Sequence, residues 1–458
     1  MAESGKDIEK RCHEGRTVKV SEFEHESVPH EKTLDSSVAL LNEGYEFIFN
    51  RRKEFGSDIF ETRLLGKPAI CMGGKEAARL FYDTDRFHRR GAIPKRIQKS
   101  LFGQQGVQTL DGQEHAHRKR LFMDLMTPER LEQLEGITEK AWLEAANRWI
   151  GRESVVLFDE ARDVFCRSAH QWAGVPLEED EVRERGQEYI DMIDAFGAVG
   201  LRHRRGRQAR ARAERRIAEL IGEIRGGLRQ VPEDTAAHAM AWHRGLDGQL
   251  LDAKVAAVEL INIVRPIVAI SWYVMFAALA LHDYPACADK LRMKAYGNGK
   301  AYGNGAEAGA GAGEYAQWFV QEVRRFYPFT PLLGAEVSRD FVWRGCEFKE
   351  GTMVLLDVYG TNRDPSLWVD PESFRPERFR FWEGGPFDLI PQGGGDHYTG
   401  HRCAGEWLTI DLMKVSLDFL VNRISYTVPE QDLTLKLSRM PALPESRFVI
   451  GNVKLAGS

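Results

Sequence analysis

The sequence predicts a mainly α-helical protein with a small β portion. Three observations predict it. The apolar stretch from Leu251 to Asp283 can form one helix, which at 1.5 Å per residue would span about 45–50 Å, enough to cross a whole domain. Amphipathic stretches at helical spacing run from Pro128 to Ile150 and from Glu178 to Phe196. Strand-like alternation is confined to short segments.

Thr127-Pro128-Glu129 reads as a helix start, with Thr127 as N-cap and Pro128 at the first helical position. Arg202 to Arg216 is a basic run in which Ala and Glu interleave, the pattern of a solvated helix face. The long apolar stretch carries Arg265 and Pro266 at its middle, which sets it apart from a membrane span and from an ordinary core helix. Lys294 to Glu314 holds the tandem hexapeptide KAYGNG followed by AEAGAGAG and is expected to be a flexible surface loop. Phe60–Met72 alternates and ends at a Gly-Gly turn. Val342–Leu356 is expected to be a hairpin, and Val428–Val453 to form short terminal strands.

Charge and cysteine usage bound the function. A formal net charge of -5 over 458 residues argues against general nucleic-acid binding. Six scattered cysteines with no CxxC spacing read as reduced thiols in a cytoplasmic protein. Residues 1–20 are polar and lack the apolar core of a signal peptide. They are expected to form an extension ahead of a single domain, residues 21–458, with no membrane anchor.

Three motifs carry chemistry. Glu322 and Arg325 stand three apart within WFVQEVRRFYPFTPLL, on one helix face. Arg378, in FRPERF, could join that pair. The third motif, IPQGGGDHYTGHRCAGEWLTI, puts Cys403 after a glycine-rich loop and before an apolar helical pattern. A thiolate needs hydrogen-bond donors and a favourable potential around its sulfur. A loop ending at a helix N-terminus supplies both.

With these motifs in this order, the chain resembles the cytochrome P-450 superfamily from about Ser21 onward. The resemblance implies haem b held between the long central helix and the cysteine-ligand loop. Cys403 would be the proximal thiolate and metal ligand, and Glu322, Arg325 and Arg378 a structural triad behind its loop. It also implies that Arg89, His115 and Lys119 meet the haem propionates.

Two departures from the usual family pattern are visible. Asp396 and Thr399 stand where the loop usually has Phe and Gly, so the loop is lengthened. The acid–alcohol pair usual in the central helix is absent; the helix centre reads Asn262-Ile-Val-Arg265-Pro266. In both respects, and in its LFG…DG…H…RK segment, the chain is similar to the hydrogen-peroxide-dependent fatty-acid peroxygenase branch. That likeness implies hydroxylation at the α and/or β carbon without a redox partner. Arg265, with Pro266, would hold the substrate carboxylate, which then serves as the acid–base group. Phe102, Gln108 and Leu332 would line the substrate pocket. Glutamine at position 108 accompanies hydroxylation in this branch, and histidine accompanies decarboxylation to terminal alkenes. Four other readings remain at this level: a dioxygen-dependent monooxygenase with redox partners, a decarboxylase, a haem sensor, and a kinked helix whose Arg265 pairs with an internal carboxylate.

Overall fold

The computed structural model describes residues 28–292 and 312–456. The polar extension and most of the KAYGNG segment lie outside them. Residues 312–314, expected in the loop, instead open the helix Ala312–Phe326 that carries Glu322. The N-cap at Thr127 forms as the sequence implies: its hydroxyl accepts the Arg130 N–H at 3.3 Å, and Pro128 begins the helix Pro128–Trp149. The stretch from Glu178 begins with a capping box closing a 3-10 turn and continues as the helix Val182–Asp194. The basic run lies within the helix Gly200–Arg225.

The centre of the molecule is the helix Ala253–Asp283. Asp252 caps it by accepting the Lys254 N–H. It packs against the helices Leu157–Ala173 and Gly200–Arg225, and its C-terminal half also meets Ala312–Phe326 and Glu406–Asp418. By length and composition it could cross a membrane, but 94% of its most apolar window is buried inside the protein. Each large apolar side chain it buries contributes about 1.5–3 kcal/mol. Trp142, Trp149, Trp172 and Trp272 belong to the same core.

Among the described residues ten strands form the β portion: β1 (Ile59–Leu64), β2 (Lys67–Gly73), β3 (Phe87–His88), β4 (Ser154–Val156), β5 (Leu332–Val337), β6 (Phe341–Trp343), β7 (Cys346–Phe348), β8 (Met353–Asp357), β9 (Ile424–Thr427) and β10 (Val449–Leu455). The largest sheet runs β1-β2-β8-β5-β3. β1 and β2 are joined by Leu65-Gly66, both at positive φ (52° and 75°), as a two-residue hairpin turn requires. The expected hairpin over 342–356 is shorter than that span. β6 and β7 pair with each other, while β8 leaves them to run parallel to β2. Likewise the terminal strands do not fill 428–453. β9 ends just before that span and β10 lies at its far end, where β10 pairs on one side with β9 and on the other with β4.

Candidate active site

The cysteine loop is fixed from behind by the predicted triad. Glu322 is fully buried and accepts two hydrogen bonds from Arg325, at 2.7 and 2.8 Å, and one from Arg378 Nε at 3.1 Å. Arg325 also donates to the carbonyl of Asn362 at 3.1 Å, and the Asn362 side chain accepts the Ile390 N–H at 2.9 Å. Thus the triad reaches the first residue of the loop through one intermediary.

The loop is shaped by close approach. A Cβ at Gly393 would lie 2.8 Å from the Tyr82 hydroxyl, and Gly393 and Gly395 both have φ near +90° (91° and 82°). Only glycine meets both demands without strain. The lengthened part is folded by Asp396, whose Oδ1 accepts from the N–H groups of Tyr398 and Thr399 and from the Thr399 hydroxyl. Cys403 follows, its N–H donating to the Gln392 carbonyl at 3.1 Å, and the helix Glu406–Asp418 begins three residues on. Burial pushes the Cys403 thiol up, opposed by the charge of Lys119. Coordination to a metal removes that proton outright.

The residues expected around the cofactor edge are placed unequally. Arg89 is buried, with its guanidinium over the Phe81 ring and one donated bond, to the Phe81 carbonyl at 3.3 Å. Burial pulls its pKa down. His115 stacks on His401 at 3.8 Å between ring centroids, and burial, His401 and Lys119 hold it at about 3. It is therefore a neutral donor at physiological pH. Lys119 Nζ donates to the carbonyl of Arg402, directly before the cysteine. Asp111 ties this group together, accepting the N–H groups of Arg89 and Arg90 at 2.8 Å and lying 3.6 Å from His401 Nε2.

The long helix supplies a polar stripe that sequence reading identified only at Arg265. Glu259, Asn262 and Arg265 recur at three-residue spacing in an otherwise apolar segment, which was the available signal. Glu259 pairs with Arg118 at 2.6 Å. Asn262 Nδ2 donates to the Phe102 carbonyl at 2.9 Å, to Gln108 Oε1 at 3.2 Å and to Glu259 at 3.3 Å. The predicted pocket residues Phe102 and Gln108 are thus brought together by one asparagine. The Arg265 guanidinium stands 5.8 Å over the Phe102 ring. Arg265 is buried, its Nε has no hydrogen-bond partner, and it makes no ion pair among the described residues. Among the described residues no carboxylate pairs with Arg265, and Glu259, on the same helix, pairs with Arg118 instead. Pro266 sits within the unbroken helix and cannot donate to the Asn262 carbonyl. Leu332, at the start of β5, packs against the cluster of Phe47, Phe60 and Leu355 rather than with this group.

The chain matches the family model for cytochrome P450 over residues 312–450. It is 43% identical to the solved structure described as cytochrome P450EX alpha (CYP152N1) with myristic acid, covering 93% of this chain and 99% of that one at a TM-score of 0.86. The chain belongs to the cytochrome P450 superfamily. Its place is in the CYP152 peroxygenase branch. The structure of cytochrome P450SP alpha (CYP152B1) in complex with (R)-ibuprofen is 45% identical, covering 92% and 100% of the two chains at a TM-score of 0.86. Ligand-free cytochrome P450 OleT is 36% identical, covering 94% and 100% at a TM-score of 0.88. A relative from Synechocystis sp., cytochrome P450 120, is 25% identical over 429 residues, 89% of this chain and 92% of its own length. This P450 is accordingly an oxidoreductase, and membership implies haem as cofactor and peroxide-type chemistry.

Its residues fit that group. A porphyrin brings its own ring nitrogens to iron, so one protein thiolate is enough, and Cys403 stands at a helix start among donors. His397, in the same loop, stacks on Trp407 and has both ring nitrogens buried without partners. Arg89 and His115 offer the buried cation and donor that propionates need.

Proposed function

We propose that this P450 is a haem-thiolate peroxygenase that uses hydrogen peroxide to hydroxylate fatty acids at the α and/or β carbon. The observation that carries the reading is the buried Arg265 guanidinium, left without a counter-ion among the described residues. Burial, helped by the nearby charge of Arg210, lowers its pKa to about 9, so it is still a cation at neutral pH. A buried cation is stabilised by an anionic partner, and the planar fork of arginine matches a carboxylate. Myristic acid, carried by one of the similar structures, is a ligand of that class.

Cys403 would hold haem b, which would supply the iron chemistry that activates peroxide. Arg265 binds the head group, so the α and β carbons are the ones held nearest the reacting centre. The carboxylate that Arg265 fixes would be the group that accepts a proton from the peroxide and gives it back. It stands in for the acid–alcohol pair missing from the helix. Pro266 keeps the turn at Arg265 free of one backbone donor. Phe102 and Gln108, positioned by Asn262, wall the pocket. Arg89, His115 and Lys119 hold the propionate edge, and Glu322, Arg325 and Arg378 brace the ligand loop.

On this reading residues 21–458 act as one catalytic domain, and no redox partner, nucleic acid or membrane anchor is required. Buried, unpaired thiols at Cys71, Cys166, Cys287 and Cys346 suit a cytoplasmic location. The test is product analysis after incubating haem-loaded protein with hydrogen peroxide and saturated fatty acids, with no reductase present. α- or β-hydroxy acids are expected. Terminal alkenes as the main product would assign decarboxylation instead, and turnover only with a reductase and dioxygen would overturn the peroxygenase reading.

A further inference from the structure

We propose that Gln392 sets the electron-donating strength of the Cys403 thiolate by donating a side-chain N–H to its sulfur. The proposal rests on the reading of Cys403 as the haem ligand. Gln392 Nε2 lies 3.8 Å from Cys403 Sγ, and the same residue's carbonyl accepts the Cys403 N–H at 3.1 Å. One glutamine therefore meets the cysteine through both its backbone and its side chain.

The direction of the bond follows from what surrounds the amide. An amide can be turned either way unless its neighbours decide. Here Arg324 Nε lies 3.2 Å from the Gln392 oxygen, and arginine can only donate. The oxygen must face Arg324. Thr409 Oγ1 lies 3.1 Å from Nε2, and its own proton is directed to the Gly405 carbonyl at 2.8 Å. Thr409 is thus an acceptor for one amide hydrogen. The second hydrogen is left for Sγ.

Arg324 cannot turn away to relax this order. It is 1% exposed and also donates to Gln321 and to Glu406, while Glu406 is held by Arg402, next to the cysteine. The buried network thus ends on the sulfur with a donor whose polarity is fixed four residues deep. A hydrogen bond to a metal-bound thiolate withdraws electron density from it and raises the reduction potential of the metal. A charge-relieving donor at this position moderates the push of Cys403 on the iron.

The experiment uses the full-length haem-loaded protein and two variants. Gln392→Leu removes the amide. Gln392→Glu keeps an oxygen for Arg324 and, ionised, has no hydrogen to donate. Both are expected to retain thiolate ligation, to shift the ferric/ferrous potential to more negative values, and to lower the C–O stretching frequency of the ferrous carbonyl complex. Gln392→Glu, which preserves the Arg324 contact, keeps the test open if the leucine variant loses haem. Thr409→Val disturbs the same packing without removing the donor and is expected to leave both readouts in place. Unchanged potential and C–O stretch in the Gln392 variants would overturn the proposal, as would an equal shift in Thr409→Val. A wild-type spectrum without thiolate ligation would instead overturn the assignment of Cys403, a result the wild type alone reveals.

Discussion

Arg265→Ala is the perturbation that tests the mechanism most directly, and the structure sets its size. Burial moves the guanidinium from the ordinary 12.5 to about 9, a bias of about 5 kcal/mol against the charged form. A carboxylate seated against it regains part of that energy. Truncating one member of a buried charge pair costs about 2–5 kcal/mol, and the middle of that range is a ~100-fold or greater loss of affinity. The assay is a titration of haem-loaded protein with a saturated fatty acid and with its methyl ester, followed by the haem absorption change and by peroxide-driven turnover. Wild type should prefer the acid by about this factor, whereas Arg265→Ala should bind both ligands alike and weakly. Comparing two proteins with two ligands isolates the charge pair from any loss of packing. The sign with pH is also fixed: Arg265 must be protonated and the ligand carboxyl ionised, so acid affinity in wild type is full above the carboxyl's own pKa and falls as pH rises through about 9. A variant that keeps the acid-over-ester preference, or keeps full peroxide-driven turnover, would refute the reasoning.

Glu322→Gln leaves Arg325, 1% exposed, without its counter-charge. A loss of about 3–5 kcal/mol in denaturant unfolding is expected, with a lower haem-to-protein ratio. For Asp111, burial works against the charge. Hydrogen bonds from His401 and from the N–H groups of Arg89 and Arg90 outweigh it and hold the group at about 2, below the ordinary 3.8. A depressed carboxylate stabilises the fold above its unfolded pKa and ceases to as pH falls through the folded one. Asp111→Asn should therefore cost about 2 kcal/mol at neutral pH, the deficit closing between pH 4 and pH 2 in thermal unfolding. Gln108→His changes the side chain that accepts from Asn262. Gas-chromatographic analysis should show a larger share of terminal alkene relative to hydroxy acid; an unchanged ratio would remove Gln108 from control of the product.

Much of the frame was legible because it is local. The Thr127 cap, the helical period up to Trp149 and the three-residue spacing of Glu322 and Arg325 are all written within a few turns of chain. The cysteine loop was legible for the same reason, as a run of glycines ending at a helix start. What escaped reading depends on partners far away in sequence. β8 lies parallel to β2, from which it is separated by most of the chain, and no local alternation can say which strand it joins. Asn262 and Gln108 are 154 residues apart. Gln392 is one letter of the cysteine motif in the sequence, whereas the orientation of its amide depends on Arg324 and Thr409, which meet it from two sides. A polar residue in a buried position announces that a partner exists, but not which one.

The same region of the protein contains a control for the meaning of Arg265. Arg210 is a second guanidinium beside the long helix, 1% exposed. Its Nε donates to Glu214 at 2.6 Å, and its other nitrogens reach the carbonyls of Leu101, Phe102 and Val258 and the side chain of Asn262 at 2.9–3.4 Å. This fold therefore supplies an acid and four further acceptors to a buried arginine when the arginine serves structure. Arg265 receives none of these, although Glu259 lies on the same helix and is committed to Arg118. Leaving a buried cation unsatisfied is expensive, and Pro266 adds the loss of a helix hydrogen bond, costing about 3 kcal/mol, at the same turn. On the proposed function, an anionic ligand seated against Arg265 offsets the first of these costs, and a ligand without a negative charge would leave the buried cation uncompensated.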